Sequence, residues 1–243
     1  MSTVVARYRS TILLFAVAIL AWAVTVQQMR GMDDGPGTDL GGLEWYLGVW
    51  AAMTAAMMLP SATPAARQVA RLARRLPTLL FVIGYLAVWI GFGLTAYGLF
   101  RLVSAFDTDW LAWDRAGAYV TGGVIIAAGM YELTPPKQAS LRRCRGGQRA
   151  GGPLRRGLVH GLDCVGCSGG LMVALFALGV MSLLWMGIVA TVIFAEKVLP
   201  QGAGLSRVFA FALVALGIWV IVSPASVPGL TQPDESPAMR MES

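Results

Sequence analysis

Leu158-Val-His160-Gly-Leu-Asp163-Cys164-Val-Gly-Cys167 opens an apolar run that continues to Pro200, and the length of that run decides the fold. Its 43 residues would make a single helix ~65 Å long, about twice the roughly 30 Å hydrocarbon thickness of a bilayer. The run must therefore fold back, and Gly179-Val-Met-Ser182 is the expected break between two antiparallel helices. The opening also holds the chain's only histidine and two of its three cysteines. At about 100° per residue, Cys164 lies ~40° round the helix from His160, and Cys167 about −20°. All three side chains emerge on one narrow face. Such residues on an apolar helix are costly unless they serve a purpose.

The rest of the composition agrees with a membrane setting. Of 243 residues, 56% are hydrophobic and 13% charged, and the mean hydropathy is +0.65. A soluble domain carries about 25% charged residues, so composition alone indicates an integral membrane protein. No polar stretch is long enough for a soluble domain. The net charge of +6 gathers mostly in short loops, where it sets topology and gives no sign of nucleic-acid binding. Three cysteines, Cys144, Cys164 and Cys167, do not make a disulfide framework.

Read in order, the chain offers an N-terminal segment over residues 1–10 and a first apolar run, Thr11–Met29, taken as an uncleaved span. Further spans are expected at Leu43–Leu59, Thr78–Val103 and Gly117–Leu133, two more within Leu158–Pro200, and a last at Leu205–Val222. Residues 11–222 then form one transmembrane domain, and the polar tail 223–243 is expected to be disordered. The Pro60–Pro77 and Lys137–Arg156 loops are arginine-rich, whereas Arg30–Glu44 and Ser104–Arg115 carry the acids. The positive-inside rule puts the basic segments and the N-terminus in the cytoplasm. The expected fold is an all-α polytopic membrane bundle of about seven transmembrane helices.

That topology brings Met57, Met58, Glu132, Cys144, His160, Cys164, Cys167 and Glu196 to one membrane depth. Thiolate, imidazole and thioether are the donors Cu(I) prefers, and Zn(II) is satisfied by cysteine and histidine. Met53 and Met57, four apart, can add a thioether ladder. The candidate metal ligands are His160, Cys164 and Cys167, with Cys144, Met53, Met57 and Met58 auxiliary and Glu196 a charge or proton partner. The bland alternatives are concrete. A single C-x-x-C pair is often small packing material, methionines fill gaps between helices, and Glu132 and Glu196 can simply pair with Lys137 and Lys197. A dithiol–disulfide role is a further reading, though thiols facing a reducing cytoplasm more commonly bind metal. No Rossmann, Walker or HExxH pattern is present in the sequence.

Several stretches together resemble a bacterial domain-of-unknown-function family described as predicted metal-binding integral membrane proteins. They are Trp50-x-x-Met53-x-x-Ala56-Met57-Met58-Leu-Pro60-Ser61, Tyr131-Glu-Leu-Thr-Pro135-x-Lys137, Gly161-x-x-Cys164-x-Gly166-Cys167-x-x-x-Leu171-Met172, Gly179-Val-Met181 and Glu196-Lys197-x-x-Pro200. The resemblance covers about Trp45 to Pro200 and implies a metal site. It also implies two departures: Ser168 stands where the family doubles the cysteine after Cys167, and Ser140 where it places one four residues before Cys144. Either three thiols with His160 and the methionines suffice, or this chain binds metal more weakly. The expectation is a multi-pass protein of a bacterial cytoplasmic membrane that binds a soft transition metal, Cu(I) first and Zn(II) second. It would exchange that metal with a donor or acceptor protein, in contact with the lipid bilayer, as a monomer or homo-oligomer and more as a handler than as an enzyme. The different-class alternatives are a non-catalytic subunit that docks a partner protein and a membrane thiol oxidoreductase.

Overall fold

The computed structural model describes residues 2–29, 41–70, 75–105, 117–146, 151–179, 182–199 and 202–227. Among them are eight helices: α1 (Ser2–Met29), α2 (Leu43–Ala70), α3 (Arg75–Ser104), α4 (Ala118–Glu132), α5 (Pro135–Gly146), α6 (Pro153–Gly179), α7 (Leu183–Val198) and α8 (Gly202–Val222). The expected acidic loops, for the most part, and the C-terminal tail beyond 227 lie outside the described residues.

The fold is all-α, as composition requires, but the count of seven spans is corrected to four. Among the described residues, only Thr11–Met29, Leu76–Val103, Pro153–Gly179 and Gly204–Val222 are long and apolar enough to cross a membrane. They mark the chain as a multi-pass membrane protein. The other three expected spans fail for different physical reasons. Helices α4 and α7 have 15 and 16 residues, against the ~20 that a spanning helix needs. Helix α2 has length to spare, yet it runs through Pro60 and Pro64 and carries Thr54, Ser61, Thr63 and Gln68. It is also an interior helix, buried without a break from Met53 to Leu59. Apolar side chains on α1 and α8 do the reverse and point outward, with Ile19 68% and Phe211 69% exposed.

The break in the long apolar run falls where the sequence places it. Helix α6 ends at Gly179, whose φ of +104° is a left-handed conformation that glycine adopts without penalty, and α7 starts at Leu183. The expected Lys137–Arg156 loop is different: its first part is helix α5, with Pro135 in the first turn, where the missing N–H costs nothing.

Small residues let the long helices close on one another. A Cβ on Gly157 of α6 would collide with the Phe81 carbonyl of α3. Between α4 and α8, a Cβ on Gly122 would come within 2.6 Å of the Gly217 carbonyl, and one on Gly217 within 2.7 Å of the Gly122 carbonyl. This is the small-residue contact that membrane helices use in place of a hydrophobic drive. Aromatic donors stitch α2 to α3: Trp50 Nε1 donates to the Trp89 carbonyl at 2.8 Å and Tyr46 OH to the Gly93 carbonyl at 3.0 Å.

A buried charge cluster ties the shorter helices together. Lys137 on α5 donates to Glu196 Oε1 and Oε2 on α7 at 3.0 and 2.9 Å and to Ser206 Oγ on α8 at 2.7 Å. It also pairs with Glu132 Oε2 at the end of α4, while Oε1 of Glu132 has no hydrogen-bond partner. One ammonium thus faces two carboxylates in a place closed to water. Burial, with the neighbouring Glu196 charge added, pushes the Glu132 carboxyl up to about 8.

Two outcomes follow from this packing. Gly157→Leu should lower stability in detergent by roughly 1–3 kcal/mol or more, because the backbone of α3 cannot yield to a new side chain, and a melting curve unchanged from wild type would refute the close approach. The raised Glu132 carboxyl means the folded state keeps a proton that the unfolded chain has already released between about 4.5 and about 8. Stability from this group is therefore full in acid and falls as pH rises through that window. Melting temperature measured across it should decline, and Glu132→Gln should flatten the decline.

Candidate metal centre

The buried positions of α6 include His160, Cys164, Cys167, Leu171, Ala174, Leu175 and Leu178, a three-and-four spacing that makes one stripe. The face drawn from helical periodicity is thus the inward one: His160 is 6%, Cys164 0% and Cys167 1% exposed. Cys164 Sγ lies 3.0 Å from Tyr85 OH on α3 and 3.7 Å from Ser168 Oγ one turn on. Cys167 donates to the Cys164 carbonyl at 3.4 Å. The imidazole of His160 rests against Phe81 and Tyr85, with ring centroids 5.7 Å from each.

The third cysteine arrives from another helix. The buried positions of α5 are Lys137, Ser140, Leu141 and Cys144. Lys137 and Cys144, seven apart, differ by only ~20° round the helix. The lysine that anchors α5 therefore aims Cys144 at α6 as well. Cys144 Sγ stands 3.9 Å from His160 Nε2. Arg143 fixes the register, donating to Asp163 Oδ1 at 2.8 Å and to Ser140 Oγ at 3.0 Å. Hydrogen bonding with Cys164 and Cys167, and then burial, holds the Cys144 thiol well above the ordinary cysteine range. The three thiols are free, buried and close enough to govern one another's ionisation.

Lys197 of α7 completes the cluster. Its Nζ lies 2.8 Å from Cys164 Sγ and 3.5 Å from Ser61 Oγ of α2. Burial opposes its charge, but the sulfurs of Cys164, Cys167 and Cys144 outweigh that and hold the ammonium well above the ordinary lysine value. An ammonium donating to a sulfur in a partly closed pocket is a charge-assisted contact, worth more there than in water.

The other sequence candidates fare differently. Met53, Met57 and Met58 are buried in the same core as the three cysteines. Glu196 is committed to Lys137. Ser140 and Ser168, at the two positions where the family resemblance leads one to expect further cysteines, accept from Arg143 and donate to the Cys164 carbonyl at 2.7 Å. Among the described residues, no group of three or more His, Cys, Asp or Glu side chains forms a ready-made metal cage. Soft donors converge, with a lysine beside Cys164.

Lys197 and Tyr85 were not among the residues that sequence singled out as donors. One signal for the lysine was there to read. Neighbours on a helix point ~100° apart, so Glu196 and Lys197 cannot share a partner, and one of them had to face away from the carboxylate cluster. Tyr85 offers no such signal, since nothing in its local sequence separates it from the aromatic packing of α3.

Searches among curated proteins and among solved structures found no match. Residues 47–220, which run from within α2 to within α8 and hold all the donors above, match the PpoB2 family, described as a copper chaperone, and the chain belongs to that family.

Proposed function

We propose that this protein is a membrane copper chaperone that holds Cu(I) on the thiols of Cys164 and Cys167, with Cys144 and His160 as further donors that take part in its delivery, and passes it to a partner protein. The observation that carries the reading is the arrival of Cys144 from α5 at the His160 side of the α6 thiol face, beside the half-buried Lys197 ammonium. Thiolate sulfur is the donor that favours Cu(I) over harder ions, with Zn(II) the second candidate. Cu(I) bound by two thiolates is an anion, and an anion in a closed apolar pocket is costly without a counter-charge. Lys197 supplies that charge. Met53, Met57 and Met58 are auxiliary thioether donors. Glu196 acts through the Lys137 cluster and keeps α7, with Lys197 on it, in place.

Arg142, Arg143, Arg145, Arg155 and Arg156 flank the same end of the bundle. By the positive-inside rule, that end and the arginine-bearing N-terminus face the cytoplasm of a bacterial inner membrane. The pocket would then meet copper in the reducing compartment, where the thiols stay available.

Purified protein loaded with Cu(I) under anaerobic conditions should retain copper by elemental analysis, and Cys164→Ser with Cys167→Ser should lose it. Metal that survives the double substitution would refute the ligand assignment. A wild-type protein that holds neither copper nor zinc would point instead to a subunit whose thiols only pack. Lys197→Met should weaken Cu(I) binding by roughly 10–100-fold, the range seen when groups that support ligands are removed. Lys197→Arg, which keeps the charge, should restore much of the loss in competition with a chromophoric chelator.

A further inference from the structure

His160 also lines a cleft that reaches the surface. The cleft is bordered by Gln68 of α2, Phe81 of α3, Arg143 of α5, and Arg156 and His160 of α6. It has room for about one water-sized group, about 20 Å³. Behind it, the imidazole Nε2 stands 3.9 Å from Cys144 Sγ, and Cys144 in turn is within reach of Cys164 and Cys167. Cys164 itself is fully buried, covered by Tyr85 and Lys197. A larger groove at α3, α4 and α6 is lined by Phe92, Val124, Ala127, Tyr131, Val165 and Gly170 and offers no sulfur or imidazole.

On the copper reading above, we propose that this cleft is the inlet for the metal, that His160 is its transit ligand, and that Cys144 relays it to Cys164 and Cys167. The step is a ligand exchange without electron transfer. Cu(I) forms a bond to Nε2 of His160 as a bond to the donor carrying it in breaks, and that donor leaves as the free chelator or thiolate. The bond to nitrogen then gives way to one from Cys144 sulfur as the S–H bond breaks, and the vacated Nε2 of His160 takes up the thiol proton. Arg143 and Arg156 at the mouth suit cargo that arrives as an anionic complex rather than as a bare cation.

Microscopic reversibility separates a transit ligand from a resting one. Removing a group that serves only the passage slows loading and unloading together, whereas removing a group that holds the bound metal speeds unloading. The experiment is stopped-flow transfer of Cu(I) from the anionic bicinchoninate complex into the full chain in detergent, and its withdrawal by excess chelator. His160→Asn should lower both rates by roughly tenfold or more, the scale on which groups around a metal act. Ala65 lines the same cleft from α2, and Ala65→Leu, which narrows it, should lower both as well and leave the copper bound at equilibrium unchanged. Faster unloading in His160→Asn would make it a resting ligand and overturn the route, as would unaltered rates in either variant with a wild-type melting curve. A wild-type protein that takes up no Cu(I) would instead overturn the chaperone reading on which the route rests.

Discussion

The arrangement depends on one buried ammonium. Lys137 gathers Glu132 from α4, Glu196 from α7 and Ser206 from α8 onto α5. Helix α5 is short and mostly polar, and a helix of that kind would not seat itself inside an apolar bundle on hydrophobic grounds. The charge cluster holds it there, and because breaking a buried pair strands a charge, the cluster resists being pulled apart. Cys144 lies two turns along the same face, so its place beside α6 is a consequence of the clamp.

The second constraint is the closeness of α3 and α6. Gly157 and Gly161 remove the side chains that would hold the two helices apart. That closeness is what allows Tyr85 to reach Cys164, and Phe81 and Tyr85 to bracket His160. Small residues therefore do more than permit packing: they bring an aromatic wall against the donors and exclude water. In such a low-dielectric pocket the ammonium–thiol contact at Lys197 strengthens, and an unpaired thiolate would be correspondingly expensive.

What sequence could reveal divides along the same physical lines. The shared face of His160, Cys164 and Cys167 follows from helical geometry, which needs no partner, and so was legible. The turn at Gly179 was legible from length alone. Cys144 was legible as a candidate but not as a neighbour of His160, because the stretch that carries it reads as a basic loop until the Pro135 start is recognised as the first turn of a helix. Glu196 was legible as a charge partner but not as the partner of Lys137, since an acid in an apolar segment signals a buried role without saying which. The number of spans was overstated because an apolar run is equally suited to lipid and to the inside of a bundle. The run in α2 took the second option: Met53 to Leu59 faces protein on every side.

Helix α7 joins the two charge systems. Glu196 belongs to the carboxylate cluster and its neighbour Lys197 to the thiols, and the ~100° between adjacent residues lets one helix serve both. Rotation or sliding of α7 cannot move Lys197 away from Cys164 without also drawing Glu196 from Lys137, and that would strand charge in both places. The fixed geometry has a use in copper handling. A counter-charge that is already in position need not reorganise when an anionic copper–thiolate complex forms, so less of the binding energy goes into ordering the site. The two lysines thus divide the work: Lys137 fixes where the thiols meet, and Lys197 sets the charge they meet in.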